Sequence, residues 1–287
     1  KAAWQMAKAA YDCLGSRIEN GVVVTKYDHV MGPIANFTCC EAGHPVPDEN
    51  SFRGTQAVLE MVSDLTETDT VLFLLSGGGS ALFEKPLIPG EILQDVTGQL
   101  LACGADIVEI NTIRKRLSAV KGGKFAEYCA PAKVFSVVLS DVVGDPLDMI
   151  ASGPACLDSS TCEQAVAIAE KYQLNLTAET WALLRKETPK NLTNVTTQIT
   201  GSVRQLCKAA ETACRELGYD TVLLTDTLSC EARDAGKWLA EQLKNSTREN
   251  VAFIAGGETV VRLTGKGLGG RNQELALSAA EGISGLT

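Results

Sequence analysis

The chain has 287 residues, 45% hydrophobic and 21% charged, a composition that suits a soluble globular protein of about two domains. Its net charge of -9 argues against non-specific binding to nucleic acid or an anionic membrane surface. No apolar run approaches the ~18 residues that a spanning helix needs.

In chain order, NGVVVTKY (20–27) reads as a strand and 51–64 as a helix with Ala57, Val58, Met61 and Val62 on one face. TVLFLLS (70–76) is apolar throughout, as in a strand buried on both sides of a parallel sheet. Residues 91–103 read as a helix, 112–128 as helical in part, 133–141 as a strand and 161–172 as a helix. The polar stretch 187–202 carries Pro189, lacks helical period and reads as a linker. Beyond it, 202–219 is an amphipathic helix with Leu206, Ala210, Cys214 and Leu217 on one face; 221–226 is a strand, 230–244 a helix, 251–257 a strand and 272–282 a last helix. This alternation predicts an α/β fold with mainly parallel sheet, in two units of about 1–190 and 200–287.

The ten cysteines show no C-x-x-C spacing, and the only histidines are His29 and His44, which argues against a zinc site. Five N-x-Ser/Thr sequons raise the alternative of a secreted glycoprotein, but the scattered cysteines favour a reduced, cytoplasmic protein. The first residue is Lys, so the chain reads as a fragment, and a mitochondrial location stays open.

In open α/β sheets, ligands bind beyond the carboxyl ends of the strands. After the strand at 70–76 comes Ser76-Gly77-Gly78-Gly79-Ser80, where three glycines clear room for a backbone to approach an anion. After 133–139 come Asp141 and Asp145, placed like Mg²⁺ ligands or, equally, like turn-capping residues. After 251–255 comes Gly256-Gly257-Glu258. The run RKRLSAVKGGK (114–124) gathers Arg114, Lys115, Arg116, Lys121 and Lys124 in an acidic chain, either as an anion site or as a solvated face. LTGKGLGGRNQELAL (263–277) imitates a dinucleotide fingerprint poorly and fits better as a loop feeding Arg271 toward a carboxylate or phosphate. No Walker A sequence and no serine–histidine pair suited to hydrolysis is evident.

Taken together, GHPVPDENS (43–51), LLSGGGSAL (74–82), EINTIRKRLSAVKGGK (109–124), LSDVVGDPLDMIASGPACLD (139–158) and GGETVVRLTGKGLGGRNQELAL (256–277) resemble the class II glycerate kinases, in order and over nearly the whole chain. The resemblance implies a Rossmann-like N-terminal domain and a smaller α/β C-terminal domain of MOFRL type, with the active site in the cleft between them. It implies ATP-dependent phosphorylation of D-glycerate to 2-phosphoglycerate. It also implies a catalytic lysine and arginine, which fall on Lys1 and Arg271. Phosphate or substrate contacts are expected from Ser76, Gly77, Gly78, Gly79, Ser80, Asn111, Arg114, Lys115, Lys121, Gly256, Gly257, Glu258, Asn272 and Glu274. The cofactors expected are ATP and Mg²⁺, the latter on Asp141 and Asp145. The family's helical region before Lys1 and its Gly/Asp-rich segment after residue 287 are absent. Two rival readings are a hydroxypyruvate reductase and a non-catalytic binder of small acids.

Overall fold

In the computed structural model, which describes residues 2–262, 267 and 269–284, the chain forms two units. The first comprises residues 2–139 and 146–200; the second comprises 140–145 and 201–284. The backbone therefore crosses between units at 139/140, 145/146 and 200/201.

The first unit runs α1 (Ala3–Leu14), β1 (Gly21–Lys26), β2 (Phe37–Ala42), α2 (Glu49–Met61), β3 (Thr70–Leu75), α3 (Gly79–Leu82), α4 (Gly90–Ala102), α5 (Ile107–Leu117), α6 (Lys124–Tyr128), β4 (Lys133–Leu139), α7 (Cys162–Lys171), α8 (Ala178–Leu184) and β5 (Val195–Gly201). β1 pairs in parallel with β2 from Gly21↔Phe37 to Lys26↔Ala42, and β3 with β4 from Thr70↔Lys133 to Leu75↔Val138. β5 joins the far side of β4. The parallel register puts the carboxyl ends of β3 and β4 on the same sheet edge, which is where the glycine loop begins.

Local chemistry sets the helix boundaries. Asp48, Asp106 and Thr161 close capping boxes at the starts of α2, α5 and α7, and Thr177 caps α8. Two cores follow. One packs α4, α5, α7 and α8 around Leu93, Val96, Leu100, Ile113, Leu117 and Leu184. The other gathers Phe73, Phe83 and Phe125, with ring centroids 4.8–5.5 Å apart, among Val58, Val62, Val120 and Val134. Burying each such ring contributes roughly 1.5–3 kcal/mol, and Phe83 sits directly after α3, so this core anchors the exit of the glycine loop.

The second unit runs α9 (Val203–Glu216), β6 (Asp220–Leu228), α10 (Ala232–Lys244), β7 (Val251–Gly257) and α11 (Arg271–Ile283). β6 and β7 are parallel, with register shifts between Leu223 and Thr225 and between Thr225 and Leu228. α9 packs on both strands, and α10 packs against α11.

The structure corrects the sequence reading at three places. The strand at 70–76, expected to be buried on both sides, leaves Thr70 and Leu72 exposed, so β3 covers its core from one face only. The expected linker contains β5, a strand of the first unit whose alternating Val, Ile and Thr side chains were masked by its polarity. On α9, Leu206 and Leu217 are 71% and 76% exposed. The inward stripe is instead Cys207 with Ala210 and Cys214, one residue around the helix from the expected face. All ten cysteines are free thiols. Among the described residues, no helix is long and apolar enough to cross a membrane.

Candidate active site

The loop after β3 shows why its residues are glycines. Gly78 has φ 93°, the left-handed region that disfavours a Cβ, and a Cβ there would lie 3.0 Å from the His44 ring. A Cβ on Gly79 would lie 2.6 Å from that of Ala151. Two of the three glycines thus serve close packing as well as any approach to a ligand. The loop keeps donors in hand: among the described residues, no acceptor takes the N–H of Gly78, Gly79 or Ser80. Upstream, the N–H of Ala2, which precedes α1, donates to the Ser76 hydroxyl at 3.1 Å. This bond ties the beginning of the chain to the loop. Lys1 lies outside the described residues.

The basic run lies largely beneath this loop and has been put to internal use. Lys115 is 2% exposed and donates to Asp158 at 2.9 Å and Asp148 at 3.3 Å. Arg116 bonds the Thr112 carbonyl, Ser160 and Glu187. Burial pushes the Asp158 carboxyl up, but Lys115 and Ser160 outweigh it and hold the carboxyl below the usual range. Lys121 is fully buried and reaches the carbonyls of Ser80, Phe83 and Ala151, with Glu84 at 3.6 Å. Lys124 closes the end of α5 through the carbonyls of Lys115, Arg116 and Ser118. The expectation that Lys115 and Lys121 contact an anion therefore gives way to a structural assignment, because both ammoniums are out of solvent and already partnered. Arg114 is intermediate: its Nη2 donates to the Ser80 carbonyl at 2.9 Å and lies 3.4 Å from Glu84, while its buried Nε has no partner among the described residues.

Asn111 has a related role. Its Oδ1 accepts from the Ser152 hydroxyl at 2.9 Å. Ala151, Ser152 and Gly153 are three consecutive left-handed residues, with φ of 52°, 61° and 64°. Such backbone costs of order 1–3 kcal/mol at each non-glycine residue and persists only where its surroundings over-determine it. Here the surroundings are Asn111, Lys121 and the amides of Gly122 and Gly123, which donate to Ser152 and Gly153. The sequence quotes this segment inside a motif but gives no sign of its conformation. Glu84 and His44 were likewise missed as neighbours of the loop; the acid in SALFE and the histidine of GHPVP were the available signals.

In the second unit, Arg271 is the first residue of α11, whose N-cap Gly270 offers no side-chain cap. Its Nη1 bonds the Glu258 carboxylate and, at 2.9 Å, the Thr259 carbonyl. The structure thus joins two of the sequence motifs, with Arg271 45% exposed. Its Nη2 and Nε have no acceptor among the described residues, which leaves a second edge of the guanidinium for an anion. Glu274 pairs with Arg233 at 3.3 Å, and Asn272 is exposed beside it on α11. Gly256 and Gly257 have packing reasons: a Cβ would lie 2.4 Å from Cys207 Sγ in the first case and 2.0 Å from the Leu228 carbonyl in the second. Asp141 is exposed and Asp145 partly so, on left-handed backbone at φ 54°. Neither carboxylate has a cationic partner among the described residues.

These features can be set beside known proteins. A family model described as a domain of unknown function, DUF4147, matches residues 1–185, and the MOFRL family model matches 251–287. A D-glycerate 2-kinase of Thermotoga maritima is 54% identical over all of this chain and 71% of its own length. A glycerate 2-kinase of Pyrococcus horikoshii is 39% identical over all of this chain and 68% of its own. This chain belongs to the glycerate 2-kinase family. The likeness of glycerate 2-kinases extends to structure: the crystal structure of the glycerate kinase from Thermotoga maritima superposes with a TM-score of 0.95 at 53% identity, covering all of this chain and 71% of that one. A Pyrococcus horikoshii crystal structure gives 0.86 at 40% identity, covering all of this chain and 69% of that one. The two-domain α/β fold is therefore that of the glycerate 2-kinase family.

Proposed function

We infer that the chain transfers the γ-phosphoryl group of ATP to D-glycerate, giving 2-phosphoglycerate and ADP. The observation that carries this reading is the 54% identity to a D-glycerate 2-kinase across the whole chain. Phosphoryl transfer asks a protein mainly for positioning and charge neutralisation. The glycerate hydroxyl oxygen bonds to the γ-phosphorus, the bond from phosphorus to the ADP oxygen breaks, and the hydroxyl proton is released.

Each site feature has a task in that scheme. The N–H groups of Gly78, Gly79 and Ser80 supply donors for a phosphate or for the glycerate carboxylate. The free edge of Arg271 stabilises charge on the transferring group, with Glu258 and Thr259 fixing its orientation. Lys1 is assigned the same task by the family resemblance. Asp141 and Asp145 offer hard oxygen donors without a competing cation, which suits Mg²⁺. That ion, when bound, supplies charge neutralisation on the ATP phosphates.

The rival reductase reading rests on the stretch LTGKGLGGRNQELAL, which imitates a dinucleotide fingerprint only poorly. The deciding test is ³¹P NMR of the chain with D-glycerate, ATP and Mg²⁺. A new phosphoester signal coupled to the C2 proton is expected. Its absence from folded protein, together with NADH consumption on hydroxypyruvate, would replace the kinase reading.

A further inference from the structure

The carbonyl of Ser80 receives two cations, Arg114 Nη2 at 2.9 Å and Lys121 Nζ at 3.0 Å. In a trans peptide the C=O and the following N–H point opposite ways. Holding the Ser80 carbonyl therefore holds the Ala81 N–H, which donates to the Gly78 carbonyl at 3.1 Å. The Leu82 N–H reaches the same carbonyl at 3.2 Å. Fixing the Gly78 carbonyl in turn aims the Gly79 N–H the other way. Together with Arg114, this buried ammonium thereby fixes two alternate peptide planes of the loop, Ser80–Ala81 directly and Gly78–Gly79 through it, the second of which carries the Gly79 N–H. It also spans the loop's exit at the Phe83 carbonyl and the left-handed segment at the Ala151 carbonyl.

We propose that Lys121 is a positioning residue for phosphoryl transfer, acting through the Ser80 carbonyl to orient the loop amides toward a substrate anion. This rests on the reading that those amides bind an anion. Lys124 is the matched contrast. It makes the same kind of three-carbonyl contact, but at the end of α5 and not on the loop.

Burial pushes both ammoniums down to about 8. The charged groups facing Lys121 are Glu84, which opposes that shift, and Arg114, which adds to it. Below that pH Lys121 is charged and grips the loop; above it the grip weakens, so activity falls. Stability moves the other way. The folded chain sheds the proton at about 8 and the unfolded chain at 10.5, so the folded state gains as pH rises through that window. A purely structural lysine would not move activity against stability.

The test is the pH profile of kcat/KM for the wild-type chain, Lys121→Met and Lys124→Met, from about pH 7 to 10. The wild type should lose activity above about pH 8. Lys121→Met should sit more than ~10-fold lower near neutrality and be flat across the range, and Lys124→Met should keep the alkaline limb. Wild-type kcat/KM in Lys121→Met, or an alkaline limb that survives in it, overturns the proposal. Should Lys121→Met fail to fold, Lys121→Arg carries a charge that does not titrate: loss of the limb supports the proposal and its retention overturns it. Glycine-labelled amide spectra, titrated with D-glycerate and with a non-hydrolysable ATP analogue, separate the two layers of the argument. If no loop-glycine signal moves in the wild type, the anion reading itself fails. If the signals move equally in wild type and Lys121→Met, only the role of Lys121 fails.

Discussion

The basic run at 114–124 and the single arginine at 271 look alike as sequence, each a concentration of positive charge beside glycines. In the folded chain they differ in every respect that matters to a ligand. Lys115, Arg116 and Lys121 are buried and bonded internally, mainly to carboxylates and carbonyls, although the Arg116 Nε has no acceptor among the described residues. Arg271 keeps one edge on Glu258 and Thr259 and leaves the other open, at 45% exposure. The lesson is that charge in a sequence does not identify a ligand contact. A cation that meets a substrate needs solvent access and an unfilled hydrogen-bonding edge, whereas one that builds a site needs internal partners.

Substitutions can break or sharpen that contrast. The largest expected effect is on the buried side. Asp158→Ala leaves the buried Lys115 only its longer contact to Asp148 at 3.3 Å and removes an acceptor of Ser160 and Thr188. Breaking such a buried pair from one side costs about 3–5 kcal/mol, measurable as a fall in the urea midpoint. On the open side, Arg271→Ala should lower turnover by about 10²–10³-fold, roughly 2.7–4 kcal/mol of transition-state stabilisation. Its melting temperature should hardly change. Arg271→Lys should recover little, because an ammonium cannot serve Glu258 and an anion along two edges. If Arg271→Ala melts like Asp158→Ala and keeps its turnover, the contrast is reversed.

A smaller effect is expected at Gly79→Ala, where the new methyl meets Ala151 at 2.6 Å. Overpacking of that kind costs about 1–3 kcal/mol, seen as a shift in denaturant midpoint. The smallest concerns a surface cluster. Bonds from Lys171, Tyr172 and the Asp106 amide hold the Glu109 carboxyl down at about 2. Its contribution is present above its ordinary value of 4.5 and is lost as pH falls toward 2. Glu109→Gln should therefore lower the melting temperature slightly at neutral pH, flatten its acid limb between those values and converge with the wild type as pH approaches 2.

Elements with strong apolar runs were legible from residues alone. β3 and β4 read clearly as strands from their apolar runs, although the expected burial on both faces is not what forms: Leu72 and Phe135 are exposed on one side; α4 and α10 read clearly as helices. β5 was not legible, because VTTQITG places Thr and Gln outward on one side of β4 and so resembles a loop. α9 was read with the wrong stripe, since Cys207 is as apolar as leucine when buried but carries less weight in a pattern. At the site, the sequence located the loops but not their internal bonds. Nothing in KGGK marks one lysine as holding the glycine loop and the next as closing a helix. That distinction arises only when residues 41 positions apart come within 3.0 Å.

The six residues Ser140–Asp145 belong to the second unit, yet they are followed by Pro146–Thr200, which belongs to the first. This interleaving has a consequence during synthesis. The ribosome adds about 5–20 residues per second. The 55 residues 146–200 separate Asp145 from Gly201, so the first piece of the second unit waits ~3–11 s for the beginning of the rest. No single cut yields both units whole. A gene divided at the obvious junction would give a C-terminal product lacking the two aspartates of that hexapeptide, and only an insertion-style fusion restores them.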